Sequence, residues 1–513
     1  MPSIALSDST TTASGYLLVL AVILPVIGLL LAFLLGGRRA EQIALGLMPI
    51  GLCLAAAIAF GVWRADGVLV YVLGGWSPPL GVALRADGFS AVMLVTTALI
   101  VTAAAFFARA NFSTPLDLTE ARAPLSFWTL LLALWAALNC VFLGGDLFNL
   151  YVALELLTFA AVPIVCLDGQ AATLKAALRY LLFALFGSVL YLLGIALLYG
   201  AYGALDIVVL SQRVRPEAAL WVAMALMTAG LAAKTALVPL YLWLPPAHAG
   251  APPAGSAMLS ALVVKASFFI AVRLWFHVMS PLPREAAMQI LAALGAGAII
   301  FGSVLALRQE RLKLLIAYST VAQIGYLFLM FPLAAGEHPW TDAAWTGGVL
   351  QAVSHAFAKA AMFLAAGLIA ETLGHDRIAG LRGAGRLMPM TIFAFGLGGL
   401  SLMGLPPSGG FVAKWLLLTA AVESGQWLWA LAMLAGGLLA GAYVFRVLAP
   451  ALASANANEP SPRPSPGRGR EAAALALALF AMLIGFAPPA LFELIQIGRP
   501  QIARPVTTIV TSR

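Results

Sequence analysis

Long apolar runs alternate with short polar interruptions along almost the whole chain. They fall near Tyr16–Leu35, Ile43–Trp63, Phe89–Ala108, Leu125–Leu143, Leu147–Leu167, Ala176–Tyr199 and Leu220–Leu244. They continue near Gly255–Phe276, Ile290–Leu307, Leu314–Leu333, Thr346–Ala370, Thr391–Val422, Leu428–Ala449 and Ala472–Ile495. A membrane-spanning helix needs about 20 apolar residues, so the pattern predicts an all-α polytopic membrane protein of about fourteen transmembrane helices. The run Thr391–Val422 is too long for one plain crossing and contains GLPPSGG, so it reads as a single interrupted helix. Between the second and third runs, VLVYVLGGWSPPLGVALRADG alternates weakly around Gly-Gly and Pro-Pro turns, which predicts a short external hairpin.

Two of the runs are broken where they carry charge. In AAKTALVPLYLWLPPAHAG, Lys234 is followed by Pro239, Pro245 and Pro246; in the twelfth run, Pro406 and Pro407 precede Lys414. Proline removes a helix hydrogen bond and frees carbonyls. Irregular backbone at membrane depth is tolerated only where it is buried in protein or lines water, so each break predicts a hydrated pocket near the midplane. Broken helices in matching positions mark inverted-repeat transporters. The breaks lie five crossings apart, which predicts two five-helix repeats, helices 4–8 and 9–13, inverted because five is odd. The expected division is 1–124 (three helices and the hairpin), 125–276 and 277–450 (the repeats), 451–471 (a disordered Pro/Ser/Arg-rich loop) and 472–513 (the last helix and a tail).

Composition sharpens the class. Of 513 residues, 62% are hydrophobic and 10% charged, against about 25% charged in soluble domains. The net charge of +8 would suggest an acidic partner such as nucleic acid. With no soluble module present, the cations are better read as arginines that orient the loops. Loops after odd-numbered runs are richer in Lys/Arg, which predicts both termini outside the cytoplasm. Cys53, Cys140 and Cys166 stand alone in apolar runs, so no disulfide framework, iron–sulfur cluster, zinc site or other cofactor is expected from this chain by itself. GLGGLSLMG has glycines but follows no strand, so it is no dinucleotide fingerprint, and no catalytic residue is assigned.

The candidate chemistry lies in intramembrane charges. The chain has only six lysines, and Lys234, Lys265, Lys359 and Lys414 fall inside apolar runs. A lysine at a helix centre costs about 2.5–3.5 kcal/mol. Unlike arginine, a desolvated lysine can lose and regain a proton, so the pattern fits proton exchange better than static pairing. Among the acids only Glu155 lies deep in a run, in DLFNLYVALELLTF, which Asp146 opens as an N-cap, entry or interface charge. The two are separated by about 13 Å at 1.5 Å per residue. His248 follows the first break, and His355 precedes Lys359 by one helical turn; histidine titrates near neutrality. Tyr318, Ser319 and Gln323 are neutral polar groups that either hold water or join helices.

DLFNLYVALELL, KTALVPLYLWLPPAHAGAPPAGSAMLSALVVK, LKLLIAYSTVAQIGY, SHAFAKAAMFLAAG and SLMGLPPSGGFVAKW resemble the antiporter-like family: proton-pumping subunits of respiratory complex I, their counterparts in membrane-bound hydrogenases, and large subunits of multisubunit Na⁺/H⁺ antiporters. The resemblance spans roughly 125–449. It implies the fourteen-helix fold with two inverted repeats. It also implies roles: Glu155 as the helix 5 glutamate, Lys234 as its helix 7 partner, Lys265 as the connecting lysine and Lys414 as the helix 12 group that exchanges protons with one side. His248 and His355 match central-axis histidines. DLFNLYV is most like the D subunit of the Na⁺/H⁺ antiporters, and WLPPAHA is more like the complex I and hydrogenase branch.

The expected function is that of a proton-translocating subunit of an NADH-quinone oxidoreductase-like or antiporter complex in a prokaryotic-type inner membrane. Its proton-transfer groups are Glu155, Lys234, Lys265, His248, His355, Lys359 and Lys414. Its partners are lipid, other membrane subunits and protons, with Na⁺ as a second candidate ion. A self-contained redox enzyme finds no support. A stand-alone cation/proton transporter, a structural scaffold, and the membrane half of an inorganic-carbon uptake pair with a zinc protein are the alternatives.

Overall fold

A computed structural model describes residues 10–115, 118–279, 282, 284–454 and 467–500. Thirteen helices are long and apolar enough to cross a membrane among the described residues. In chain order these are α1 (Tyr16–Leu35), α2 (Gly37–Ala65), α3 (Gly88–Ala108), α4 (Arg122–Leu143), α5 (Leu147–Val165), α6 (Ala171–Tyr202), α7 (Ala218–Thr235), α8 (Pro253–Val278), α9 (Glu285–Leu307), α10 (Leu312–Leu333), α11 (Thr341–Leu373), α13 (Trp427–Leu452) and α14 (Arg468–Phe486). The interrupted twelfth crossing, α12, is two shorter helices, Pro389–Met403 and Gly409–Glu423. After its break, α7 continues as Leu244–Gly250. The chain is therefore a multi-pass membrane protein of the expected class, with breaks at both expected helices.

Burial sorts the crossings. The central stretches of α8 and α11 are wholly enclosed, whereas α1 and α2 turn most of their surface outward. The polar side chains follow: Ser260, Lys265 and Ser267 lie on α8, and Gln351, Ser354, His355 and Lys359 on α11, all buried. Helices approach closely where glycines allow it. A Cβ at Gly230 would lie 2.3 Å from the Gly187 carbonyl oxygen, so α6 and α7 touch backbone to backbone next to Lys234.

The predicted hairpin is present. β1 (Leu69–Val72) and β2 (Ala83–Ala86) pair antiparallel, with Leu69 opposite Ala86 and Val72 opposite Ala83. Arg85 of β2 reaches Asp206 at 3.3 Å. The fourteenth run departs from expectation. It does not continue as one helix to Ile495: α14 ends at Phe486, and after Pro488 a separate helix, Pro489–Gln496, packs against α3 and α11. Proline at 488 and 489 supplies the stop. The predicted disordered loop 451–471 is helical at both ends, to Leu452 and from Arg468, and its middle lies outside the described residues.

One buried ion pair joins the ends of two crossings. Arg273 on α8 donates to both carboxylate oxygens of Asp87, at 2.5 and 2.7 Å, and to the Ser90 hydroxyl at 3.0 Å. Asp87 caps α3 by accepting from the Ser90 N–H at 2.9 Å, and its partner stacks on the Phe269 ring at 4.6 Å. Truncating one member of such a pair strands the other charge in protein, at a cost of about 3–5 kcal/mol. Arg273→Leu should therefore lower the thermal unfolding temperature sharply, and Asp87→Leu/Arg273→Leu should recover part of that loss. Unfolding of the detergent-solubilised protein followed by tryptophan fluorescence measures both; equal losses in the single and double variants would refute the pairing.

Candidate functional site

The first break shapes the site around Lys234. Pro239 removes the N–H that the Thr235 carbonyl would otherwise accept. The helix closes with Ala236 in the left-handed region, φ 62°, and with Leu237 N–H on the Ala232 carbonyl at 3.0 Å. The indole of Trp243, beyond the break, donates to the Ala233 carbonyl at 2.8 Å. This leaves Lys234 in the last turn, 8% exposed, with Nζ 3.2 Å from Glu155 Oε1 and 3.0 Å from Thr158 Oγ1. The same Glu155 oxygen accepts from the Ser188 hydroxyl of α6. The pair borders a cavity of about 10 Å³ lined by Thr158, Tyr180, Lys234 and Ser267, about the space one water occupies.

The centre holds two fully buried amines on neutral acceptors. Lys265 Nζ donates to the Ser260 carbonyl at 2.6 Å, and a π-helical turn, Leu259–Val263, precedes it. The Ser260 hydroxyl meets Thr320 Oγ1 at 2.9 Å, and Thr320 returns to the Ile316 carbonyl at 3.0 Å. That carbonyl also accepts from Lys359 Nζ at 3.0 Å, and Ser319 Oγ accepts from it at 2.5 Å. Lys265 and Lys359 are thus linked through Ser260, by its carbonyl on one side and its hydroxyl on the other, and through Thr320 and the shared Ile316 carbonyl. Neither lysine snorkels.

The second break repeats the first with different partners. Pro406 cannot supply the N–H that the Leu402 carbonyl would take four residues on, and Gly404 turns the chain at φ 81°. The freed Leu402 carbonyl accepts from Lys414 Nζ at 2.5 Å and from Gln323 Nε2 at 3.1 Å. Lys414 also lies over the Tyr326 ring, 4.1 Å from its centroid. Gln323 reaches Tyr443 Oη at 3.5 Å and accepts from Gln351 Nε2 at 3.0 Å. Beside Lys414, an open cleft between α12 and α13 is apolar, lined by Met403, Leu405, Trp415, Met433 and Leu438, not the polar pocket the break predicted.

Among the described residues no carboxylate pairs with Lys265, Lys359 or Lys414, while Lys359 lies within electrostatic reach of both others. His355 is buried between Gln351 and Lys359 on one face of α11, and neither ring nitrogen has a hydrogen-bond partner. His248 bonds the Leu244 carbonyl at 2.9 Å through Nδ1 and leaves Nε2 without a partner. Asp146 stands apart: it caps α5, accepting from Phe148 and Asn149 N–H at 2.9 and 3.0 Å. Burial, with the nearby Asp206 charge adding to it, outweighs those two bonds and raises the proton affinity of Asp146 above the usual carboxylate range.

Seven predicted groups therefore fall into a Glu155–Lys234 pair and a central line of Lys265, His248, His355, Lys359 and Lys414. No direct hydrogen bond joins Lys234 to Lys265 among the described residues; Thr235 Oγ1 to Ser267 Oγ, 2.8 Å, links their helices. Sequence reasoning missed Thr158, Ser188, Ser260, Thr320, Gln351 and Tyr443, which have no charge or break to mark them. Arg273 did carry a signal, an arginine flanked on both sides by apolar residues.

A bundle with two broken helices and a buried line of amines defines a membrane transport subunit of antiporter type. The comparisons agree. The chain belongs to the family described as NADH:quinone oxidoreductase/Mrp antiporter, TM, which matches residues 144–440. It is 34% identical to NADH-quinone oxidoreductase subunit N of Desulforudis audaxviator over 77% of this chain and 78% of that one. It is 31% identical to F(420)H(2) dehydrogenase subunit N of Methanosarcina mazei over 73% and 76%. A Na(+)/H(+) antiporter subunit of Alkalihalophilus pseudofirmus is 28% identical over 82% and 84%. The fold matches a chain of the membrane-bound sulfane sulfur reductase, an archaeal respiratory membrane complex, with TM-score 0.84 and 26% identity over 93% and 96%.

The contact of α6 with α7 is testable. Gly230→Ala places a methyl against the Gly187 carbonyl and should separate the helices that hold Ser188, Glu155 and Lys234 together. Overpacking of this kind costs about 1–3 kcal/mol, read as a lower unfolding temperature. An unchanged temperature would show that the backbones are not in contact.

Proposed function

We propose that the chain is a proton-translocating subunit of a multisubunit membrane complex. The observation that carries this is the central line itself: three buried amines held only by neutral acceptors, the middle one, Lys359, within electrostatic reach of the other two, with one carboxylate at the far end on Lys234. Like charges in a low dielectric repel strongly, so a proton arriving at one amine favours departure from its neighbour. Glu155 acts as the switch. While it sits beside Lys234 the ammonium is compensated. When it withdraws, an uncompensated charge is left in protein, and Lys234 releases its proton toward the line.

The unpartnered nitrogens of His248 and His355 support hydration of the line, because a buried polar atom left without a partner costs about 1–3 kcal/mol. The proton path then runs Lys234, Lys265, His248 and His355, Lys359, Lys414, with Asp146 at an end of α5 as an entry or interface charge. The two breaks five crossings apart support the division into inverted repeats, helices 4–8 and 9–13. The relatives, each named as one subunit of a larger assembly, support neighbouring membrane subunits as partners and a prokaryotic inner membrane as the location, with both termini outside the cytoplasm.

The complex purified through a tag on this chain and reconstituted in liposomes with trapped pyranine provides the test. A potassium diffusion potential set with valinomycin should drive proton movement. Lys234→Ala should reduce that flux by about 10²-fold or more, the scale of a lost positioned proton-transfer group, with assembly unchanged. Undiminished flux from an assembled Lys234→Ala complex would refute the role.

A further inference from the structure

Hydrogens are unevenly placed around the cavity beside Lys234. An ammonium has three to donate. Lys234 gives one to Glu155 Oε1 at 3.2 Å and one to Thr158 Oγ1 at 3.0 Å, which leaves the third for the cavity that it lines. The serine and threonine hydroxyls there have acceptors within the protein. Thr158 donates to the Leu154 carbonyl at 2.9 Å. Ser267 donates to the Val264 carbonyl at 3.3 Å and accepts from Thr235 at 2.8 Å. Toward the cavity, Thr158 and Ser267 can therefore only accept.

Tyr180 differs from them. It lines the same cavity from α6. Its ring stacks on Trp243, with centroids 4.2 Å apart and planes 8° from parallel. The Trp243 indole is itself held on the Ala233 carbonyl, beside Lys234. The phenol lies within electrostatic reach of Glu155. It shares a face of α6 with Ala184 and Ser188, one and two turns on, and Ser188 donates to Glu155. Among the described residues nothing accepts the hydrogen of the Tyr180 hydroxyl.

We propose that Tyr180 is a positioning residue of the release step: through one water in this cavity its hydroxyl provides the hydrogen bond that Lys234 requires once it is neutral. The inference rests on the translocation reading above. When Glu155 withdraws, one N–H bond of the ammonium breaks, its electron pair stays on nitrogen, and the proton leaves on water toward the line. The amine is then an acceptor as well as a donor. The cavity water meets that need by donating to the nitrogen while it accepts from Tyr180, and its second hydrogen goes to Ser267 Oγ. No bond of the phenol breaks, and no oxidant or reductant takes part. An unmet acceptor in a buried site disfavours the state that carries it, so without Tyr180 the neutral amine forms less readily.

Three elements face Lys234. α5 presents Glu155 and α6 presents Tyr180, whereas α8 presents the neutral Ser267 and turns Lys265 to the Ser260 carbonyl. Glu155 is therefore the one charge that acts on Lys234 among the described residues.

A ring that only packs would be equally well served by phenylalanine, which keeps the stack on Trp243 and removes the hydroxyl alone. In the pyranine-loaded liposomes, Tyr180→Phe should lower proton flux at neutral pH about tenfold, the scale of one hydrogen bond. It should also move the flux-against-pH profile about one unit to higher pH, since a more alkaline medium is needed to empty an amine whose neutral form has lost its donor.

Unchanged flux and profile would overturn the proposal in favour of packing. An equal loss at every pH, with the profile unmoved and assembly confirmed by subunit composition, would overturn it in favour of a structural role, as would failure of the variant to assemble. A wild-type complex that moves no protons at all would remove the translocation reading itself, an outcome distinct from these.

Discussion

An amine enclosed in a membrane protein must find oxygen, and a regular helix offers little because each carbonyl already accepts one bond within the helix. At the second break a proline resolves this conflict. Pro406 leaves the Leu402 carbonyl free four residues earlier, and both Lys414 and Gln323 bind it. Pro239 ends α7 at the turn that carries Lys234, whose oxygens come from the side chains of Glu155 and Thr158. Lys265 and Lys359 use other means, a carbonyl at a π-helical turn and a carbonyl shared with threonine and serine hydroxyls. At Lys234, Lys265 and Lys414 the charge lies beside irregular backbone; Lys359 alone of the four sits on an unbroken helix.

The two breaks are alike in form and unlike in electrostatics. Lys234 has a carboxylate at 3.2 Å, whereas Lys414 has a carbonyl and an aromatic face. An ion pair can be opened and closed; a carbonyl and a ring offer only a resting place. In the proposed function that difference sets a switch at the Glu155 end against a neutral terminus at α12. Lys359 binds α10 directly, at the Ile316 carbonyl and Ser319, whereas Lys265 and Lys414 bind the Ser260 and Leu402 carbonyls, and Thr320 and Gln323 of α10 join those two residues in turn. The sequence leaves Ser319 and Gln323 open between water-holding and joining helices; in the fold they are joints, and α10 holds the line in register.

Much of this is legible in the sequence, because the cost of a charge in lipid leaves few arrangements. Lysines inside apolar runs, prolines beside them and one deep glutamate suffice to place the breaks and the four amines. The apolar periodicity places thirteen crossings and the interrupted twelfth. The fourteenth reads too long because Pro488 and Pro489 lie within an otherwise apolar run. Tyr443, Gln351 and the Leu402 carbonyl are not legible: their meaning depends on which helix faces act across the bundle, and nothing local distinguishes them from helix-packing residues.

The central claim is that solvent bridges the amines and imidazoles of the buried line. An electron cryo-microscopy map of the assembled complex at a resolution that reveals ordered water tests it most directly. Water density is expected within hydrogen-bond distance of both His355 ring nitrogens and of His248 Nε2, continuing to Lys265 and Lys359. Close-packed apolar atoms around those nitrogens, with no density between the lysines, would contradict it.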